Sequence, residues 1–108
     1  MPKNTRPFKA KCFFSYLKRR NFEYVVSDFA DSEFSDFGAL ERVEFENKKF
    51  MGTIEIWSSG WIGLGLIILP EIEEILNLML SPEKAEKEKI KFIIDEAMKK
   101  NESSSENR

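Results

Sequence analysis

The chain has 108 residues, 42% of them hydrophobic and 33% charged, which is enough apolar material for one domain with one core. It contains no histidine and a single cysteine, Cys12, so disulfide frameworks, zinc fingers and mechanisms built on an imidazole are excluded. The net charge of -2 argues against a dedicated nucleic-acid binder, whose affinity comes from neutralising phosphates. We therefore expect no enzyme, no cofactor and no metal site.

The first predicted element is an amphipathic helix over residues 5–20. Its apolar stripe consists of Phe8, Cys12, Phe13, Tyr16 and Leu17. Asn21 can end this helix, because asparagine tolerates the left-handed backbone conformation that closes helices. Aromatic and β-branched residues predict a strand over residues 22–26, and the small, acidic residues 28–38 predict a loop or a frayed edge.

Three further strands are predicted in the middle of the chain. Residues 40–46 alternate between apolar and polar, and residues 50–57 return as the second strand of a hairpin. Residues 61–69 are apolar throughout, which predicts a strand covered on both sides or packed deeply beneath helices. Pro70 is expected to end the sheet.

Two helices are predicted after Pro70. The first covers residues 72–80, whose apolar positions follow helical spacing, and the second runs from Ser81–Pro82 to residue 100. The sequence therefore predicts one α+β domain over residues 1–100, with an N-terminal helix, a four-stranded antiparallel meander sheet and two C-terminal helices. Residues 101–108 are predicted to form a disordered polar tail.

Motifs for other chemistry are weak. The glycines at 60, 63 and 65 enter an apolar strand rather than a helix, so they indicate close packing and not a phosphate-binding loop. The acids between residues 28 and 36 do not match the ligand spacing of a calcium loop. An enzyme that uses these carboxylates would need a concave pocket that contains two of them.

Charge is distributed unevenly. Residues 1–20 hold seven bases and no acid, whereas residues 21–46 hold eight acids and one base. Two interpretations fit the basic block: it contacts RNA, or it neutralises the acidic block within a monomer or across a dimer. The bases that would contact RNA are Lys9, Lys11, Lys18, Arg19 and Arg20.

The most unusual feature is a series of phenylalanines, at 29, 34, 37 and 45, interleaved with acids. Aromatic anchors inside an acidic rim are typical of a surface that docks on a basic protein, where a buried ring contributes about 2 kcal/mol or more. The alternative is that these rings all point into the core while the acids solvate a loop. The candidate partner-binding residues are Asp28, Phe29, Asp31, Glu33, Phe34, Asp36, Phe37, Glu44 and Glu46.

Three segments resemble the small immunity proteins of bacterial polymorphic and contact-dependent toxin systems. They are Asn21-Phe-Glu-Tyr-Val-Val-Ser-Asp28, Asp31-Ser-Glu-Phe-Ser-Asp-Phe-Gly38 and Gly52-Thr-Ile-Glu-Ile-Trp-Ser-Ser-Gly-Trp61. The resemblance covers residues 20–80. It implies a cytosolic protein that binds and neutralises one cognate toxin, often a nuclease whose nucleic-acid site is basic.

We therefore expect an immunity or inhibitor protein that binds a toxin with a basic surface through an acidic aromatic surface. The alternative function is an RNA-associated or regulatory module that uses the basic N-terminal helix. The longest apolar run, residues 61–69, is far shorter than the roughly 20 residues of a transmembrane helix. No export signal is predicted at the amino terminus, so we expect a cytoplasmic protein without membrane contact.

Overall fold

The computed structural model describes residues 9–29 and 38–106, with side chains as far as residue 101. The fold is α+β, with a five-stranded antiparallel sheet in the order β1-β2-β3-β4-β5 and two α-helices. The strands are β1 (Glu23–Phe29), β2 (Leu40–Glu46), β3 (Phe50–Trp57), β4 (Ile62–Ile68) and β5 (Glu73–Leu80). The helices are α1 (Phe14–Arg19), which follows a 3-10 turn (Ala10–Phe13), and α2 (Lys87–Glu106), which follows a 3-10 turn (Pro82–Lys84).

The hairpin of β2 and β3 has the bounds that its sequence predicts. Alternation of apolar and polar residues places one side of each strand in the core, and the other side is exposed or half-buried except at Leu40, which is buried. Asn47 closes the turn, because its side-chain oxygen accepts hydrogen bonds from the backbone N–H groups of Lys49 and Phe50, each at 2.9 Å. These contacts are local, so the sequence is sufficient to predict them.

The end of α1 also follows the prediction. Asn21 has φ of 64°, in the left-handed region. The N–H of Asn21 donates to the carbonyl of Lys18 at 3.0 Å, and the N–H of Phe22 donates to the carbonyl of Leu17 at 2.9 Å. These two bonds form a Schellman motif, which turns the chain from the helix into β1.

The prediction of a helix over residues 72–80 is wrong, since this segment forms β5. Leu76, Leu78 and Leu80 pair with residues of β4 in an antiparallel ladder. The helical spacing of the apolar residues is a local preference, and pairing with the free edge of β4 outweighs it. Pro70 therefore does not end the sheet but lies in the turn between β4 and β5, and the sheet has five strands instead of four.

The C-terminal region contains one α-helix rather than two. Residues 82–84 form only a 3-10 turn, and α2 begins at Lys87 rather than at Ser81–Pro82. Its buried stripe consists of Ile90, Ile94 and Met98, at the predicted spacing. The helix extends to Glu106 and so includes residues that the sequence assigned to the polar tail. In the described part of the chain, no helix is both long and apolar enough to cross a bilayer.

Both helices pack on the same side of the sheet, and the core lies between these two layers. From the predicted N-terminal stripe, Phe13, Tyr16 and Leu17 are buried, Cys12 is half-buried, and Phe8 lies outside the described residues. The buried strand residues that complete the core are Val43, Phe45, Phe50, Ile54, Ile56, Ile62, Leu64, Leu66 and Leu80.

The other side of the sheet, which we call the open face, carries no helix of the described residues. Of the two alternatives predicted for β4, packing beneath helices agrees with the structure, because Ile62, Leu64 and Leu66 share the core with Ile90 and Ile94 of α2. On the open face β4 presents Gly63, Gly65 and Ile67, and the two glycines contribute no side chain to that face.

Candidate protein-binding surface

The strand register arranges the side chains of the open face in rows that cross the sheet. Two neighbouring rows contain four carboxylates in total. We call these two rows together the acidic end. Their members are Glu23, Glu46, Met51, Ile67 and Glu74 in one row, and Val25, Glu44, Thr53, Gly65 and Asn77 in the next. The row at the opposite end, which we call the aromatic end, consists of Phe29, Leu40 and Trp57.

The carboxylates of the acidic end are exposed, and Lys48 and Lys49 of the β2–β3 turn line a depression together with Glu23 and Glu46. Glu23, Glu44, Glu46 and Glu74 are all exposed, and none of them forms an ion pair with another described residue. Glu23 lies directly opposite Glu46 in the ladder between β1 and β2. Like charges in such cross-strand positions repel each other.

The open face also carries exposed apolar side chains. Val25 is 63% exposed and Phe29 46% exposed, and Met51 and Met79 are also exposed. Glu23, Val25, Glu44 and Met51 line one depression of about 450 Å³. A second one of about 270 Å³ lies over Gly65. The open face therefore combines apolar area that can be buried with negative charge around it, on strands that hold it rigid.

The centre of the open face holds one cation among the described strand residues, Arg42, and the protein itself neutralises it. Its Nη2 lies 2.9 Å from Oε2 of Glu55. Its guanidinium also lies over the ring of Phe29, 5.2 Å from the centroid. The ion pair leaves the charge of the acidic end unchanged and fixes the position of the Phe29 ring.

The structure brings together three of the predicted partner-binding residues: Phe29, Glu44 and Glu46 lie on the open face. Asp28 is exposed but faces the helix side of β1, opposite Glu41. Asp31, Glu33, Phe34, Asp36 and Phe37 lie outside the described residues. Phe45 is buried and packs edge-on against Phe22, with ring centroids 4.8 Å apart, so it belongs to the core.

Sequence reasoning missed other members of the surface. Alternation along β1 could have assigned Glu23 and Val25 to the side of Phe29, because residues two apart share a face. The same rule applied to β3 would have added Met51. Glu74 and Met79 had no such signal, since the segment that carries them was predicted to be a helix.

The basic block does not pair with the acidic block in the described part of the chain. Lys9, Lys11, Lys18 and Arg19 are exposed, and Arg20 binds Asp95 of α2, with Nε 2.8 Å from Oδ1 and Nη2 3.0 Å from Oδ2. The hydrogen bond with Asp95 raises the pKa of Arg20. Arg20 thus has a structural role, which is to join α1 to α2.

Tyr16 completes this junction. Its hydroxyl donates a hydrogen bond of 2.7 Å to Oδ1 of Asp95, and its ring lies under the guanidinium of Arg20 at 4.6 Å. Burial raises the pKa of the Tyr16 hydroxyl far above its usual range, and the hydrogen bond to Asp95 raises it further. The hydroxyl is therefore a permanent donor that holds the two helices together.

Among the described side chains, no group of three or more histidine, cysteine, aspartate or glutamate residues is placed to hold a metal ion. Comparisons of the chain with protein-family models, with curated proteins and with solved structures found no match. The chemistry of the open face therefore has to be inferred from its own residues.

Proposed function

We propose that this chain is an immunity or inhibitor protein that binds a cognate bacterial toxin in the cytoplasm, through the open face. The observation that supports the proposal is the combination of exposed carboxylates at 23, 44, 46 and 74 with exposed apolar side chains on the same face of the sheet. The partner would be a protein with a basic surface, because positive charge is complementary to these acids.

The two components of the surface would act at different stages of binding. The carboxylates attract a basic partner from a distance, and such steering brings association rates toward about 10⁸ to 10⁹ M⁻¹s⁻¹ at low salt. Val25, Phe29 and Met51 then lose their contact with water, which slows dissociation. Binding should accordingly weaken with salt mainly through a lower association rate.

A nuclease is the toxin class that this surface fits best. A nuclease must hold phosphates in a site lined by lysine and arginine, and a row of exposed carboxylates presents that site with a competing set of anions. Neutralisation by occlusion needs no reaction on the inhibitor. The open face would thus block nucleic acid from entering the toxin.

The test begins with the reading frame next to that of this chain, which we expect to encode a toxin domain, and continues with an inhibition and binding assay of its product. Purified toxin is titrated with the full chain while nuclease activity is measured, and association rates are recorded at several salt concentrations. We expect stoichiometric inhibition. Replacing Glu23, Glu44 and Glu46 together with lysine should lower the association rate at low salt tenfold or more.

The matched control reverses three exposed acids near or on α2, on the other side of the sheet: Glu83, Glu86 and Glu96, each replaced with lysine. This triple variant has the same net charge as the test variant. It should associate with the toxin several-fold faster than the test variant does. Equal rates for the two variants, or no inhibition by the unaltered chain, would contradict the proposal.

The alternative function, binding of RNA, is supported by the exposure of Lys9, Lys11, Lys18 and Arg19. A filter-binding titration with generic RNA separates the two functions. If these bases contact phosphates, affinity falls steeply as salt is raised. Absence of binding near physiological salt would remove this alternative.

A further inference from the structure

The outer edge of β5 presents free backbone groups. The N–H of Leu69 donates to the carbonyl of Lys49 at 2.7 Å, and the N–H of Trp57 donates to the carbonyl of Trp61 at 3.0 Å. The backbone hydrogen bonds between β3 and β4 are therefore formed by the odd-numbered residues of both strands. Antiparallel strands alternate the direction of their backbone groups, so even-numbered residues of β4 bond to β5, at Leu76, Leu78 and Leu80. The N–H and C=O groups of Asn77 and Met79 consequently point away from the sheet.

The segment 76–80, which we call the β5 edge, lacks the usual protection of an edge strand. Natural edges are blunted by charged side chains, by proline or by β-bulges; the sequence Leu-Asn-Leu-Met-Leu contains no charge and no proline, and the irregularity in the pairing with β4 lies just before it. Leu78 is 36% exposed and Met79 is exposed as well. No described strand pairs with this edge.

The other edge of the sheet, β1, is different. The same alternation directs the backbone groups of Tyr24, Val26 and Asp28 outward there. The ring of Phe14 stacks on Tyr24 with centroids 4.5 Å apart, which places α1 beside this strand. Asp28 adds an exposed charge. An incoming strand would therefore meet fewer obstacles at the β5 edge.

We propose that the β5 edge pairs antiparallel with the β5 edge of a second copy of this chain, around a two-fold axis at Leu78. The occupant must be an apolar strand without charge, since the edge offers no ion-pair partner, and the chain itself carries such a strand. In this register Asn77 and Met79 exchange both backbone hydrogen bonds with Met79 and Asn77 of the second copy. Leu78 lies against its own symmetry mate.

The positions of two glutamates favour this register over a shifted one. With the axis at Leu78, both Glu73 and Glu74 fall beyond the paired segment. A shift of the axis by two residues, to Leu76, would set Glu74 against Leu78 and Glu73 against Met79. Desolvating a carboxylate beside an apolar side chain is costly, so the register centred on Leu78 is favoured.

The dimer would have one continuous sheet of ten strands. A two-fold axis between antiparallel edges stands perpendicular to the sheet, so both open faces lie on the same side. The proposal goes beyond the proposed function and does not depend on it, because the edge involves none of the carboxylates of the acidic end.

Sedimentation of the full chain over a wide concentration range tests the proposal. We expect the mass to rise with concentration from 12.7 kDa toward twice that value. The Asn77→Pro variant should stay at 12.7 kDa at all concentrations, because proline lacks the N–H that points outward and the bonds to β4 are kept. The control, Asn77→Ala, keeps this N–H and should dimerise as the unaltered chain does. A monomeric unaltered chain, or a folded Asn77→Pro variant that still dimerises, would overturn the proposal.

Cross-linking provides a second measurement that does not require the proline variant to fold. In a Cys12→Ser background, Leu78→Cys should form an intermolecular disulfide under mild oxidation. Non-hydrogen-bonded residues opposite each other have Cα atoms about 4.5 Å apart, within the range of a disulfide. Val25→Cys, which is more exposed but lies on β1, is the control and should cross-link at least tenfold more slowly. Equal rates at the two positions would show random collision and refute the pairing.

Discussion

Arg42 and Glu55 face each other across β2 and β3 on the open face, where Nη2 and Nε of Arg42 lie 2.9 and 3.1 Å from Oε2 of Glu55. The pair separates the acidic end from the aromatic end. Because it is neutral as a unit, the charge of the open face comes from the glutamates around it. The same guanidinium holds the ring of Phe29, so one residue positions an aromatic anchor without adding positive charge to the surface.

The coupling between Arg42 and Glu55 is expected to be modest. Both side chains are about one-third exposed or less, so water screens the pair only in part. A double-mutant cycle with Arg42→Ala and Glu55→Ala, measured by urea denaturation, should give a coupling free energy of about 0.5 to 1 kcal/mol that decreases with salt. If the two changes were additive, the ion pair would contribute nothing to the stability of the open face.

Gly52 and Gly65 should respond differently to alanine. A Cβ at Gly52 would lie 2.6 Å from Cζ of Phe45 and 2.7 Å from the carbonyl oxygen of Gly65, and this oxygen belongs to a fixed strand. We expect Gly52→Ala to lower the free energy of unfolding by about 2 to 3 kcal/mol. At Gly65 the nearest atom is Oγ1 of Thr53 at 3.1 Å, which can rotate, so Gly65→Ala should cost less than about 1 kcal/mol. Chemical denaturation of both variants checks the difference, and equal losses would contradict it.

Stability at high pH should depend on Tyr16. The folded protein raises the pKa of its hydroxyl, whereas the unfolded chain ionises near the usual value of about 10. The unfolded state therefore releases this proton first. The raised pKa of Tyr16 contributes fully to the free energy of unfolding below pH 10. Above pH 10 this contribution declines by up to about 1.4 kcal/mol per pH unit.

The control for this pH dependence is Tyr16→Phe. Loss of the hydrogen bond to Asp95 should destabilise this variant at neutral pH by about 1 kcal/mol. Urea denaturation between pH 7 and pH 11 should show the difference from the unaltered chain shrinking as pH rises and then changing sign. Parallel curves would mean that the hydroxyl is not held protonated by the fold.

Asn21 and Ile72 both have a left-handed backbone conformation, which asparagine tolerates and which strains isoleucine. Their φ angles are 64° and 60°. Ile72 is 70% exposed, so replacing it sacrifices little buried area. Ile72→Asn should raise the free energy of unfolding by about 0.5 to 1 kcal/mol. Asn21→Ala should lower it by a similar amount, and thermal denaturation that ranked the two variants in the reverse order would refute this assignment.

The β2–β3 hairpin and the end of α1 could be predicted because their determinants are close together in the chain. Asn47 forms its turn with residues two and three positions away. Asn21 closes α1 with carbonyls of the preceding turn. In both cases the side chain that determines the structure and the backbone groups that it satisfies belong to the same short segment.

The candidate surface could be predicted only in part. The sequence showed that phenylalanines and acids are interleaved, but alternation along β2 sends Phe45 into the core and Glu44 and Glu46 to the open face. Asp95 of α2 binds Arg20 and Tyr16 of the N-terminal region, which are far from it in the chain. Neither result can be predicted from residues that are adjacent in the sequence.

The sequence by itself determined the α+β class, the meander through its first four strands, and an excess of acids among the aromatic residues of its first half. Tertiary structure alone decided that residues 73–80 form a fifth strand, and with it which side chains lie on each face and where the sheet ends. The physical reason is that a strand gains its hydrogen bonds from a partner elsewhere in the chain, whereas a helix gains them within itself. A segment with the spacing of a helix can therefore become a strand once an unpaired edge is beside it.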